Sequence, residues 1–281
     1  MSKPDQIPEI NVPVLLRAHG LSPKKSLGQN FLIDNTALEK IAAAAGLTPD
    51  QTVLEIGPGL GSLTRHLAQA AARVVAVELD QNLIPVLQEV LAPWDNVTLI
   101  HGDMLEINPA ELIDQAGYAV AANIPYYITS ALIRHLLEAP VKPARIVLTV
   151  QREVAERICA APGDLSLLAL SVQVYGQARV AARIPAGAFY PPPQVDSAVV
   201  RIDLYPQPLI PTHRLDDFFT LIKAGFSQKR KTLRNSLAGG LRCSGDHAAA
   251  LLTAAGIDPQ RRAETVSIEE WGRVVERYKE P

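Results

Sequence analysis

Val53-Leu54-Glu55-Ile56-Gly57-Pro58-Gly59-Leu60-Gly61-Ser62-Leu63-Thr64 joins an apolar run to a glycine turn and then to a helix-forming stretch. Glycines at 57, 59 and 61 let the backbone turn tightly and let a ligand approach it closely. Working outward, Thr52 to Ile56, Arg73 to Glu78, Val97 to His101, Tyr118 to Asn123 and Arg145 to Val150 read as short buried parallel strands. Helical stretches lie between them: Ser62 to Ala71, Asn82 to Leu91 behind Asp80 as N-cap, and one from Thr129 or Ser130 to Leu137. Ala169 to Ile184 and Ser197 to Leu204 read as β-rich runs pairing as an antiparallel edge hairpin. Strand–helix alternation with short loops predicts an open α/β sheet covered on both faces.

Three successive strand ends carry chemistry. The first is the glycine turn. The second is Glu78, 21 residues beyond Gly57, where a carboxylate can accept both hydroxyls of a ribose. The third is Gly102-Asp103-Met104, with a carboxylate for an adenine amino group and a thioether to pack on the ring. A dinucleotide fingerprint would need Gly or Ala at its third position, and here that position is Ser62. A loop flanked by acids, holding no Lys or Arg, suits a nucleoside with a cationic group. That chemistry is S-adenosylmethionine's rather than NAD's.

The 281 residues carry 27 Lys+Arg against 29 Asp+Glu, a formal net charge of -2. Hydrophobic content of 48 % excludes intrinsic disorder as the main state. Cys159 and Cys243 make no disulfide framework, and the six histidines show no metal-ligand spacing, so no metal is expected. No apolar run approaches the ~18 residues of a membrane span, and residues 1–16 read as neither signal peptide nor anchor. The expectation is a soluble, cytoplasmic, monomeric protein with no membrane partner.

Charge is unevenly spread. Phe218 to Gly245 holds six basic residues and no acid; taking those six away leaves 21 basic residues against 29 acidic. A basic block on an acidic body suggests a polyanion held at one place. Arg17, Lys24 and Lys25 form a smaller cluster in the acid-free stretch Ile10 to Ile33. After Tyr205-Pro206-Gln207-Pro208-Leu209-Ile210-Pro211 the pattern becomes helical: Asp216 to Phe226, Lys231 to Ala238, His247 to Ala255 and Ser267 to Tyr278, punctuated by glycines. The reading is two domains, residues 1–206 α/β and residues 207–281 all-helical.

The fourth strand ends in Ala122-Asn123-Ile124-Pro125-Tyr126-Tyr127. Pro125 fixes its own φ and holds Ile124 extended, so Asn123 and the Ile124 carbonyl can both point out of the strand end as acceptors. An exocyclic amine has its lone pair delocalised into the base, and accepting its N–H bonds against an aromatic face suits methylation. Asn-Ile-Pro-Tyr resembles the [ND]-P-P-[FY] motif of amino-methylating adenine and cytosine methyltransferases. Taken with Leu27-Gly28-Gln29-Asn30-Phe31-Leu32, Glu55-Ile56-Gly57-Pro58-Gly59 and Phe189-Tyr190-Pro191-Pro192-Pro193-Gln194-Val195-Asp196-Ser197, the chain resembles the ribosomal RNA adenine N6-dimethyltransferases from about residue 20 to 240. Phe226-Ser227-Gln228-Lys229-Arg230-Lys231-Thr232-Leu233-Arg234-Asn235 resembles the small-subunit branch more than the macrolide-resistance branch.

The resemblance implies a Rossmann-like S-adenosylmethionine-dependent methyltransferase sheet followed by a small helical RNA-docking domain. It implies dimethylation of two adjacent adenosines near the 3′ end of 16S rRNA, with the small ribosomal subunit as partner. Gln29, Asn30 and Leu32 would close over the methionine part of the cofactor, and Gly57 and Gly59 would form its floor. Glu78 would bind the ribose, and Asp103 and Met104 the adenine. Asn123 would accept hydrogen bonds from the target amine, while Tyr126 and Phe189 sandwich the flipped base. Lys24, Lys25, Lys229, Arg230, Lys231 and Arg234 are the expected phosphate contacts. Family members often have Leu where this chain has Ile124, a change that leaves the implicated carbonyl in place.

Overall fold

A computed structural model describes residues 7–125, 128–228 and 230–278. It divides the chain into two units, residues 1–155 with 179–204, and residues 156–178 with 205–281. The sequence-derived boundary near 207 therefore has a counterpart at 204/205, but residues 156–178 group with the helical unit.

The first unit is built on a seven-stranded sheet. In chain order its strands are β2 (Thr52–Ile56), β3 (Arg73–Glu78), β4 (Val97–His101), β5 (Ala119–Asn123), β6 (Arg145–Gln151), β7 (Gly176–Ile184) and β9 (Ser197–Leu204), arranged 4-3-2-5-6-9-7. Strands β4 through β6 run parallel, and β9 lies antiparallel to β6 with Leu148 opposite Val200. Val53, Leu54, Val74, Val75, Val120 and Ala121 are fully shielded, as strands covered on both faces must be. Chain order reverses between β2 and β5, the crevice where ligands bind in open α/β sheets. A separate two-stranded sheet pairs β1 (Phe31–Leu32) with β8 (Phe189–Tyr190), Leu32 opposite Phe189.

In chain order the first helices are α1 (Val12–Ala18), α2 (Asn35–Ala45), α3 (Ser62–Ala70), α4 (Ile84–Leu91), α5 (Pro109–Leu112), α6 (Thr129–Glu138) and α7 (Arg152–Ile158), of which α2, α3, α4 and α6 cover the sheet. The stretch expected as one helix from Asn82 begins as a 3₁₀ turn, Gln81–Leu83, capped by the Asp80 carboxylate on the Asn82 amide. Gly61 sits at φ +80° as the N-cap of α3. A Cβ there would lie 3.2 Å from Val90 and 3.3 Å from Leu91, so glycine also lets α4 pack against the turn.

In the second unit, Leu167–Gln173 is helix α8 rather than strand, which corrects the β-rich reading of residues 169–184 in its first part. Leu167-Leu168-Ala169-Leu170 is a helix-forming run without a β-branched residue, and Ser166 caps it by accepting from the Ala169 amide at 3.1 Å. The proline linker bonds back to the end of this segment, Tyr205 N to Tyr175 O and Leu209 N to Val174 O, both at 2.9 Å. Tyr175 stacks on Phe219, with centroids 6.4 Å apart. These contacts are why residues 156–178 join the helical unit.

The remaining helices are α9 (Leu215–Gly225), α10 (Leu233–Leu241), α11 (Gly245–Ala254) and α12 (Ile268–Arg277). Gly239 and Gly240, which looked like a helix stop, lie inside α10. A Cβ on Gly240 would come within 2.5 Å of Ala224, so glycine here is a close-packing residue between α9 and α10. No helix among the described residues is long and apolar enough to cross a membrane.

Candidate active site

One cavity of about 250 Å³ opens at the carboxyl ends of β2, β3, β4 and β5. Gln29, Asn30, Leu32, Gly57, Gly59, Glu78, Asp103, Met104, Asn123 and Phe189, all expected site residues, line it. Tyr126 and Lys229 lie outside the described residues.

The glycine turn forms the floor for a backbone reason. Gly57 and Gly59 have φ +70° and +62°, where a side chain is strained. A Cβ on Gly59 would also press to 3.1 Å from the Phe31 ring. Glu78, at the end of β3, is locked by two backbone donors, Gly59 N at 3.0 Å and Asp80 N at 2.8 Å. Burial raises its pKa, and those backbone bonds offset only part of the rise. Each carboxylate oxygen keeps a second lone pair for a ligand hydroxyl. Asp103 accepts from Leu105 N at 2.9 Å, and Met104 is buried beside it.

Asn123 is oriented by the segment 27–32, which lines the cavity. Its Nδ2 donates to the Asn30 carbonyl at 3.3 Å, which turns Oδ1 the other way as an acceptor. Phe189 is buried and held by the β1–β8 pairing, and Ile33 N donates to Ala188 O at 2.9 Å beside it.

Two residues were missed by sequence reasoning. Glu55 lies mid-run in β2, 1 % exposed, and lines the cavity. The Thr64 hydroxyl is close enough to favour its charged form, yet neither carboxyl oxygen completes a hydrogen bond. Burial, with Glu78 nearby, pushes its pKa to about 8. A charged residue inside an otherwise apolar strand was the available signal. The second is Asp80, 5 % exposed and hydrogen-bonded to Lys24, Gln29 and Asn82.

Glu55 has a measurable consequence. A carboxyl whose folded pKa lies above its unfolded value contributes most to stability below the unfolded value, near 4.5, and loses that contribution as pH rises toward 8. Glu55→Gln should therefore flatten the decline in ligand-free stability between those limits. At pH 8 it should raise stability by on the order of a few kcal/mol. Denaturant unfolding of both proteins at pH 5 and pH 8 checks this; parallel pH profiles would contradict it.

The basic residues separate into three kinds. Lys24, expected on phosphate, is instead ion-paired to Asp80 at 2.7 Å. Arg234 donates to the Gly245 carbonyl and to Asp246, each at 3.0 Å. Lys25, Arg230 and Lys231 are exposed. Arg65, which follows the glycine turn, is buried and directed at the Gly61 and Pro8 carbonyls, so it is not a phosphate donor in the cavity.

Residues 20–280 match the family model for ribosomal RNA adenine dimethylase. The chain is 48 % identical over 265 residues to ribosomal RNA small subunit methyltransferase A of Dehalococcoides mccartyi, covering 94 % of this chain and 91 % of the relative. It is 41 % identical to the protein of that name from Bacillus pumilus, covering 94 % of each. Among solved structures, 23S rRNA methyltransferase ErmE matches with a TM-score of 0.73 and 31 % identity over 88 % of this chain and 99 % of that one. A dimethyladenosine transferase from Plasmodium falciparum shares the fold, with a TM-score of 0.76 at 24 % identity over 87 % and 95 % of the two chains.

Proposed function

The chain belongs to the ribosomal RNA adenine dimethylase family, and from that premise we propose that it dimethylates the N6 amino groups of two adjacent adenosines in a hairpin near the 3′ end of 16S rRNA. The work belongs to small-subunit assembly in the cytoplasm, with S-adenosylmethionine as methyl donor. The observation that carries this reading is the Asn123 amide. Its nitrogen is held by the Asn30 carbonyl, leaving Oδ1 as an acceptor on the same cavity as Glu78, Asp103 and Met104.

The residues fit the cofactor by their chemistry. Glu55 offers a buried carboxyl without a completed hydrogen bond, held largely neutral by burial in the free protein; a cationic ligand beside it would favour its ionised form. Glu78 and Asp103 offer acceptors for ribose hydroxyls and an adenine amine, with Met104 against the ring. Gly57 and Gly59 keep the floor free of side chains. Gln29, Asn30 and Leu32 wall the methionine side. When bound, S-adenosylmethionine supplies a methyl group on a positively charged sulfur whose departure needs no acid.

Positioning therefore contributes more than proton transfer. Asn123 Oδ1 accepts an N–H of the target amine and stabilises positive charge as it develops on N6. Phe189, with Tyr126 in the sandwich, holds the base, and stacking at about 1–3 kcal/mol per base offsets the cost of flipping it. A once-methylated N6 still carries one N–H for Asn123, so one acceptor serves both transfers. The doubly methylated nitrogen has no N–H left, which removes that hold on the product.

Tritiated S-adenosylmethionine, given to unmethylated small and large subunits, tests the assignment. Label at two adjacent adenosines of the 16S 3′ hairpin is expected. Label in large-subunit rRNA, the target named for the 31 %-identical structure, would move the substrate. No label on either would make the chain a non-catalytic assembly factor.

The exposed basic residues of the helical unit supply phosphate affinity in this reading. Replacing Arg230 and Lys231 with Ala should flatten the salt dependence of subunit binding by roughly 0.7 log units per lost contact. Cofactor affinity should not change, and neither should the methylated position, because phosphate contacts carry little sequence information. Arg234→Ala should move the slope less, since its guanidinium is engaged with Gly245 and Asp246. A salt titration in which the double variant keeps the wild-type slope would remove RNA docking from this segment.

A further inference from the structure

Lys24 and Gln29 bracket the start of the segment that forms one wall of the cavity, residues 27–32. The two are closed on each other: Lys24 N donates to Gln29 Oε1 at 2.8 Å, and Gln29 N donates to Lys24 O at 3.3 Å. Both side chains then converge on one carboxylate from another part of the chain. Lys24 Nζ reaches Asp80 Oδ1 at 2.7 Å, and Gln29 Nε2 reaches Asp80 Oδ2 at 2.8 Å. Asn82 adds two more donors to Oδ1, its backbone N at 3.1 Å and its Nδ2 at 2.9 Å. Asp80 also donates its own N–H to Glu78 Oε1 at 2.8 Å. Burial alone would raise its carboxyl pKa, but the Lys24, Gln29 and Asn82 bonds outweigh that and hold it ionised.

We propose that Asp80 is a positioning residue that latches the 27–32 wall to the ribose-binding end of β3, so that closing the cavity and aiming Glu78 are one event. Neither Asp80 nor Lys24 is among the residues lining the cavity. Any effect of theirs on the cofactor must therefore pass through Gln29, the wall and Glu78. The Lys24 side chain is 39 % exposed while that of Asp80 is 4 % exposed, so the pair is a buried anion reached by a snorkelling cation. Charge-assisted bonds to a buried carboxylate are the strong kind, and removing the Lys24 cation leaves the Asp80 charge with only the neutral donors of Gln29 and Asn82.

This proposal rests on the reading of the cavity as an S-adenosylmethionine site. The test compares Asp80→Asn, Lys24→Met and the double variant of the full chain, by calorimetric binding of S-adenosylmethionine and S-adenosylhomocysteine and by hydrogen exchange. Each single variant should weaken both ligands about tenfold or more, as expected for losing a charged hydrogen-bond partner. The double variant should be little worse than the weaker single, because the two act as one unit. Exchange should rise in residues 24–32 and stay unchanged in β2 and β5. In turnover, KM for the cofactor should rise while kcat at saturation stays near wild type, a split that general destabilisation would not produce. Lys24→Met, at a partly exposed position, decides the matter if Asp80→Asn does not fold. Wild-type affinity in Lys24→Met with unchanged exchange in residues 24–32 overturns the latch. Should the wild type bind neither ligand, the cofactor reading fails separately, and unchanged exchange in the ligand-free variants overturns the latch on its own.

Discussion

Asn123→Ala should lower methyl transfer by on the order of 10²–10³-fold at saturating cofactor and RNA, the usual cost of removing one preorganised group from a developing charge. The acceptor lost is the amide oxygen that the Asn30 carbonyl keeps turned outward. Asn123 is partly exposed at the end of β5 and pairs in register with Thr149, so truncating it removes little packing. Fold and most cofactor affinity should survive. Single-turnover measurement separates the cases: a fall in kcat with cofactor KM within a few-fold of wild type supports the amine-acceptor role. Near wild-type turnover would take Asn123 out of the chemistry.

The second large effect is expected at Glu78. Glu78→Ala should weaken S-adenosylmethionine binding by about 1.5–3 kcal/mol, roughly 10- to 150-fold, for loss of the charged acceptor. Two backbone amides, Gly59 N and Asp80 N, lose their partner at the same time, so the floor of the cavity loosens with it. Glu78→Gln keeps an acceptor but must turn an NH₂ toward one of those donors, and should fall between wild type and Ala. Calorimetry on the three proteins reads this order directly. Equal affinities would remove Glu78 from the cofactor site, and preferential binding of NAD by the wild type would replace the cofactor itself.

Much of the architecture is legible in local pattern. Thr52 to Ile56 followed by three glycines is strand and turn in any context, because apolar β-branched residues next to positive-φ positions leave the backbone few alternatives. Pro125 acts the same way on the end of β5. The site residues taken from strand ends, Glu78, Asp103 and Asn123, line one cavity because parallel strands of one sheet bring their carboxyl ends together. Pattern misled where a short apolar run suits two structures. Leu167 to Leu170 is helical because Ser166 caps it, whereas β7 begins only at Gly176.

Local pattern along the chain therefore carries the order of the elements, the ends of the strands and the residue types standing there. Which charges meet and which lose water follows from how distant segments pack. Lys24 and Asp80 are 56 residues apart, and nothing within a few residues of either says that one will quench the other. Glu55 stands out in the sequence as a charge within an apolar run, but its loss of water is set only when β3 and β5 pair on either side of it and α3 brings Thr64 near it. Propensities act over one or two turns of chain, whereas desolvation and ion pairing depend on what packs against a group from elsewhere in the fold. That is why the strand-end residues that line the cavity are visible in the chain, while the Lys24–Asp80 pair and the desolvation of Glu55 are not.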